Sequence, residues 1–138
     1  MRKLLALLAA CSVVVACDTR LSGVATSFSA EVGTYVLTTY NAKSVPAPLP
    51  DTLPGTALAI TADTVQLLVN GNIREARYIS STRAPAGAVI SSSINAGRYT
   101  ITGDSLGFTG IPLKSASITS STLTALDAQG FVYVFTRR

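Results

Sequence analysis

The 138-residue chain has no histidine and no tryptophan, only two cysteines, and few charges, with 13% of its residues Asp, Glu, Lys or Arg. Each shortage removes a class of chemistry. Without histidine, the commonest general base and metal ligand is missing. Serine and threonine are plentiful, but the amine bases outside the extreme N-terminus are Lys43 and Lys114, and neither lies three residues after a serine, as a Ser-x-x-Lys nucleophile site requires. No stretch gathers the closely spaced acids of a calcium loop, and no phosphate loop or dinucleotide fingerprint occurs. The basic residues Arg20, Lys43, Arg74, Arg77, Arg83, Arg98, Lys114, Arg137 and Arg138 are scattered, unlike the clustered stripe of a nucleic-acid binder. The sequence therefore predicts no catalytic residue, no metal, no cofactor, no enzymatic activity and no nucleic-acid partner.

What the chain does have begins at its N-terminus. Arg2 and Lys3 precede Leu4–Ala16, an apolar stretch without a single charge. That length is too short for a spanning helix, which needs about 17–25 residues, and it fits the hydrophobic region of an export signal. At its end, Val14-Val15-Ala16-Cys17 resembles the lipobox of bacterial lipoproteins. The resemblance implies cleavage before Cys17, thioether diacylation of its sulfur and acylation of the new amino terminus. Leu8-Ala9-Ala10-Cys11 is a second match. Choosing Cys11 would leave Leu4–Ala10 as the apolar region, at the lower limit of about seven residues, so Cys17 is the preferred lipidation site.

These features divide the chain into a signal peptide (1–16, a signal helix), a lipidated N-terminus and tether (17–32) and one domain (33–138). The partner they imply is a lipid bilayer, held through acylated Cys17. The expected location is outside the cytoplasm, anchored to the cell membrane or outer membrane and facing the periplasm or exterior. Several acyl chains, at about 0.8 kcal/mol per buried methylene, give stable attachment where one chain is marginal. With Cys11 removed and Cys17 acylated, no thiol remains for a disulfide. Removing Arg2 and Lys3 leaves nine basic against seven acidic groups, a formal charge near +2. Residues 18–32, DTRLSGVATSFSAEV, suit a small, hydroxyl-rich tether. Val24 and Phe28, at i and i+4, equally allow a short helical turn.

After Gly33 the pattern becomes short β-rich runs separated by turn residues, the signature of an all-β meander, sandwich or barrel. Gly33–Tyr40 reads as a first strand of alternating β-formers. Residues 41–56 carry Pro46, Pro48, Pro50 and Pro54. They read as an extended loop, since proline cannot donate to a ladder. Runs at Ala57–Ala62, Thr64–Val69 and Ile73–Ser80 are separated by Asp63 and by Asn70-Gly71, a pair that predicts a type I′ hairpin. Ser81–Gly87 reads as a loop. Weaker or clearer strands follow at Ala88–Ile94, Gly97–Thr102, Leu106–Thr109, Ala116–Thr119, Thr122–Leu126 and Phe131–Thr136. Eight to ten short strands in simple succession predict a small antiparallel up-and-down sheet, closed into a barrel so that no edge is left bare. No helix of ordinary length is predicted after the signal.

Gly33-Thr34-Tyr35-Val36-Leu37, Asn41-Ala42-Lys43-Ser44-Val45-Pro46, the hairpin Gly97-Arg98-Tyr99 through Leu106, and an aromatic last strand ending in arginine resemble the small lipocalin-like lipoproteins of bacterial envelopes. The resemblance spans roughly residues 33–138. It departs from the family where Tyr35 stands for a tryptophan and Ala42 for a turn glycine. It implies a lipocalin-like barrel in which Arg137 covers the Tyr35 ring, a cation–π contact of about 0.5–1 kcal/mol; a solvated C-terminal arginine pair is the alternative. Asp51, Asp63, Asp104 and Asp127 read as turn residues. Glu31 precedes the first strand. Glu75, inside a strand with Arg77 on its face and Arg74 beside it, reads as an exposed ion cluster or as a charged barrel lining. Tyr35, Tyr78, Tyr99, Phe108, Phe131, Tyr133 and Phe135 are expected to converge in one interior. An eight-stranded barrel either fills that space with side chains or holds one small ligand. The expected function is a non-catalytic binding module for a small apolar or amphipathic ligand, lined by Tyr35, Tyr99 and Tyr133. The alternative is a filled barrel docking an envelope protein.

Overall fold

Alternation of inward apolar and outward polar side chains governs the computed structural model, which describes residues 31–50, 55–83 and 87–138. The expectations for residues 1–30, among them the signal, Cys11, Cys17 and the Val24–Phe28 turn, lie outside the described residues. Ten strands occur among the described residues and no helix: β1 Gly33–Tyr40, β2 Lys43–Ser44, β3 Ala47–Pro48, β4 Thr56–Leu67, β5 Asn72–Arg83, β6 Gly87–Thr102, β7 Ser105–Thr109, β8 Leu113–Ile118, β9 Thr122–Asp127 and β10 Val132–Arg137. From β4 to β10 each strand pairs antiparallel with the next. β10 then pairs with β1, and β1 with β4. The result is a closed, eight-stranded antiparallel barrel, with β2 and β3 as short additions beside β1 and β4.

The core is what the alternation dictates. Tyr35 and Leu37 of β1, Val65 and Leu67 of β4, Leu123 and Ala125 of β9, and Tyr133 and Phe135 of β10 all point inward and are buried. β7 does the same with Leu106 and Phe108 while Ser105, Gly107 and Thr109 face out. At about 25 cal/mol per Å² of apolar area removed from water, this interior is the main favourable contribution to folding.

Several elements differ from their sequence reading, each for a physical reason. Asp63 is not a turn residue. The runs on either side of it form one twelve-residue strand, β4, whose register shifts between Ile60 and Ala62. That bulge turns Asp63 onto the inner face with Val65 and Leu67. Likewise the two runs around Asn95 are one sixteen-residue strand, β6, because β5 supplies an unbroken partner from Asn72 to Arg83. The proline-rich stretch includes two short pairings, Tyr40 with Lys43 and Ala47 with Ile60. Pro48 is accommodated there in an outermost strand.

The turns also exchange roles. At Asn70-Gly71 only the glycine has positive φ, +75°. Gly71 N donates to Leu68 O and Leu68 N to Asn72 O, so the connection is a three-residue loop, Val69 to Gly71, ended by a left-handed glycine, not a two-residue type I′ turn. The type I′ geometry appears instead at Asn41 and Ala42, with φ of 47° and 61°. Asn41 reinforces that corner: its N donates to Val132 O and its Oδ1 accepts from Val132 N.

β4, β5 and β6 outrun their neighbours. β7 pairs only with Arg98–Thr102 of β6, so among the described residues the N-terminal half of β6 is laddered on its β5 side alone. The departure point is Gly97, where a Cβ would lie 1.9 Å from Thr109 O. Only a glycine lets the two backbones approach so closely.

Candidate functional site

The barrel has a lower end, where β1 begins, and an upper end, where β1 stops at Tyr40. Below, the interior is a continuous apolar packing closed by tyrosines. Tyr35 Oη donates to Glu31 O at 2.8 Å and Tyr99 Oη to Leu68 O at 2.7 Å. Arg137, the neighbour of Tyr35 on β10, lies 6.0 Å from its ring centroid and donates to Val32 O at 2.7 Å. The arginine thus covers the Tyr35 ring and staples the strand start.

Above, the interior is charged. Asp63 on β4, Glu75 and Arg77 on β5 and Asn95 on β6 meet on the inner face because their strands pair Asp63 with Arg77 and Glu75 with Asn95. Arg77 Nε donates to Asp63 Oδ2 at 2.9 Å and Arg77 Nη2 to Glu75 Oε1 at 2.6 Å. Asn95 Nδ2 donates to Glu75 Oε2 at 2.9 Å. Both carboxylates are fully buried. The sequence reading of Glu75 as an exposed ion cluster is therefore corrected: Ile73 and Ile79 flank it on the same face and carry it inside. Three of the four carboxylate oxygens accept a hydrogen bond, and Asp63 Oδ1 accepts none among the described residues. Burial, and then the neighbouring Glu75 charge, push the Asp63 carboxyl up from 3.8 to about 7 against the opposing pull of Arg77. For Arg77, burial works against the charge, but Asp63 and Glu75 outweigh it and hold its pKa above the ordinary value.

The same guanidinium lies over Tyr133, 4.9 Å from the ring centroid. Tyr133 Oη donates to Asp127 Oδ2 at 3.1 Å, while Asp127 Oδ1 accepts from the backbone N of Gln129 and Phe131, both at 2.9 Å. Asp127 closes the β9–β10 turn, as the sequence reading expects, and also belongs to the interior. Burial above all raises the Tyr133 pKa; Arg77 lowers it, and Asp127 adds to the rise. Beside the Tyr133–Asp127 pair opens a shallow cleft of about 360 Å³, bounded by Tyr40, Leu49, Pro50, Leu58, Gln129 and Phe131 together with Tyr133 and Asp127. Its aromatic wall is continuous: Tyr40 meets Tyr133 edge-on at 4.9 Å and Phe131 at 5.7 Å.

No protein-family model, no curated protein and no solved structure matches this chain. Its chemistry is read from geometry. Of the three tyrosines expected to line a ligand site, Tyr133 borders the upper cleft, whereas Tyr35 and Tyr99 are 0% and 3% exposed in the lower core. Tyr78 does not join the interior aromatics. Alternation along β5, with Ile73, Glu75 and Arg77 turned inward, leaves Tyr78 facing outward, 43% exposed. Asp63 and Asn95 are members of the upper cluster that the sequence reading missed. For Asp63 a signal existed, because Asp63, Val65 and Leu67 alternate on one face; for Asn95 there was none, since its neighbours Ser91 and Ser93 are exposed. No group of three or more metal-binding side chains occurs among the described residues.

Proposed function

We propose that this chain is an exported, lipocalin-like lipoprotein, tethered to a bilayer through acylated Cys17, whose barrel is a non-catalytic binding module for a small amphipathic ligand. The observation that carries this reading is the upper cleft, an apolar wall of Tyr40, Leu49, Leu58 and Phe131 set over the Tyr133 hydroxyl and the Asp127 carboxylate. Pockets of that kind, mostly apolar with a few convergent polar groups, are the usual form of small-molecule sites. An apolar body fits the wall. Asp127, the carboxylate that borders the cleft, favours a ligand end that donates hydrogen bonds over one that carries negative charge. The lipid tether rests on the Val14–Cys17 pattern and the charge-free stretch before it.

Native mass spectrometry of the full chain, released gently from its own envelope, tests the reading. A retained small molecule is expected, lost in Phe131→Ala, and the mature N-terminus should carry acyl chains on Cys17. The packed lower core favours the second reading, a filled barrel that docks an envelope protein. Recovery of a bound protein and no small molecule would establish that reading in place of the first.

A further inference from the structure

Among the described residues the N-terminal half of β6 is an uncovered sheet edge, and its chemistry differs from that of an edge meant to stay alone. Free edges are ordinarily blunted by charges or proline. Gly87–Gly97, GAVISSSINAG, has neither, and it exposes Ile90 and Ile94 on the outer face at 69% and 79%. Tyr78 of β5, opposite Ser92, completes the patch between them.

The backbone polarity of this edge follows from the ladder. Tyr99 N donates to Gly71 O on the β5 side, and Leu68 N donates to Asn72 O on the other side of β5. The β5–β6 register is unbroken from Asn72↔Arg98 to Arg83↔Gly87. In an antiparallel strand, a residue's N–H and C=O point the same way and alternate along the chain. The odd-numbered residues of β6 therefore bond to β5, and Ala88, Ile90, Ser92 and Ile94 present theirs to the open edge.

The edge is also nearly palindromic about Ser92. Ser91 mirrors Ser93, Ile90 mirrors Ile94 and Ala88 mirrors Ala96; among these pairs only Val89 and Asn95 differ. We infer that this edge pairs antiparallel with the same edge of a second copy of the chain, about a two-fold axis through Ser92. In that register Ser92 faces Ser92 of the second copy, and Ile90 faces Ile94 of the second copy twice over. These even-numbered residues are the ones whose N–H and C=O are free, so the hydrogen-bonded pairs of the new ladder fall where donors and acceptors are available. Ile90, Ile94 and Tyr78 from each copy merge into one apolar stripe. A closed two-fold interface of this sort uses one patch on both partners. A seven-residue pair spans about 23 Å, near the small end of specific interfaces, so a concentration-dependent dimer is expected.

Sedimentation velocity on the full chain in density-matched detergent tests this. A monomer–dimer equilibrium is expected, abolished by Ser92→Pro, which removes an N–H aimed at the open edge and leaves the β5 ladder intact. Far-ultraviolet circular dichroism should show the same β signal for both proteins. Ile90→Lys with Ile94→Lys should likewise give a monomer and covers the case in which the proline variant does not fold. With Cys11→Ser and Cys17→Ser as background, Ser92→Cys should cross-link to itself. Ile90→Cys should cross-link with Ile94→Cys in a mixture, and neither should do so alone. A monomer at all concentrations, a dimer that survives the folded variants, or cross-links in another register would overturn the inference.

Discussion

At the scale of single residues, the barrel's least expected feature is a pair of buried carboxylates sharing one guanidinium. Arg77 is held by Asp63 and Glu75 at once. Removing one partner of a buried ion pair costs about 3–5 kcal/mol, because the charge left behind has no water. Arg77→Met should therefore destabilise the barrel by about that much at neutral pH in urea unfolding, and by less in acid, where the two carboxyls can share protons. Asp63 gives a second pH signature. Its folded pKa, about 7, stands above its ordinary 3.8, so between those values the folded chain holds a proton that the unfolded chain releases. Stability from this group is present at acid pH and is lost as pH rises through about 7. Asp63→Asn should flatten that falling limb, as urea midpoints measured from pH 4 to 8 would reveal. Ala42, at φ 61°, bears left-handed strain of about 1–2 kcal/mol that glycine avoids, less the glycine's greater unfolded entropy of about 0.4–1 kcal/mol. Ala42→Gly should then stabilise the chain by about 0.5–1 kcal/mol, seen as a higher melting temperature.

Among the elements, the last strand was legible because its alternation is uninterrupted, and the first only as far as Leu37, where a register shift before Thr39 turns Tyr40 inward as well. Tyr35 and Leu37, and Tyr133 and Phe135, fall on the inner face as their spacing predicts. β4 and β6 were misread for one shared reason. A polar or small residue inside a long strand looks like a turn until a partner strand is known, and here β5 runs beside both without interruption. The same blindness hid the charged cluster: Asp63 alternates with Val65 and Leu67, but read as a turn between two strands it lost that face. Gly97 was read as the start of a strand, whereas it is the crossing point where β6 meets the β7–β8 turn. With Thr109 O 1.9 Å from its missing Cβ, Gly97→Ala must push the hairpin away. The expected cost is about 1–3 kcal/mol, typical of overpacking, and amide exchange should quicken in β7 before the rest of the barrel.

For the molecule as a whole, closure depends on contacts between residues nearly a hundred positions apart, from Tyr35↔Arg137 to Tyr40↔Tyr133. Deleting Phe131–Arg138 would leave β1 and β9 without their shared neighbour and strip Tyr133 and Phe135 from the core. The truncated chain should lose its cooperative urea transition, monitored by circular dichroism. The sequence by itself determined the all-β class, the strand polarity and the shortage of catalytic groups, because these follow from local alternation, turn residues and composition. It also carried the export and lipidation pattern on which the proposed tether rests. Only the tertiary structure decided that eight strands close, that Asp63, Glu75 and Arg77 turn inward, and that half of β6 is paired on one side alone among the described residues. Those outcomes depend on register and relative strand length, which are properties of pairs of strands and are written in no single segment.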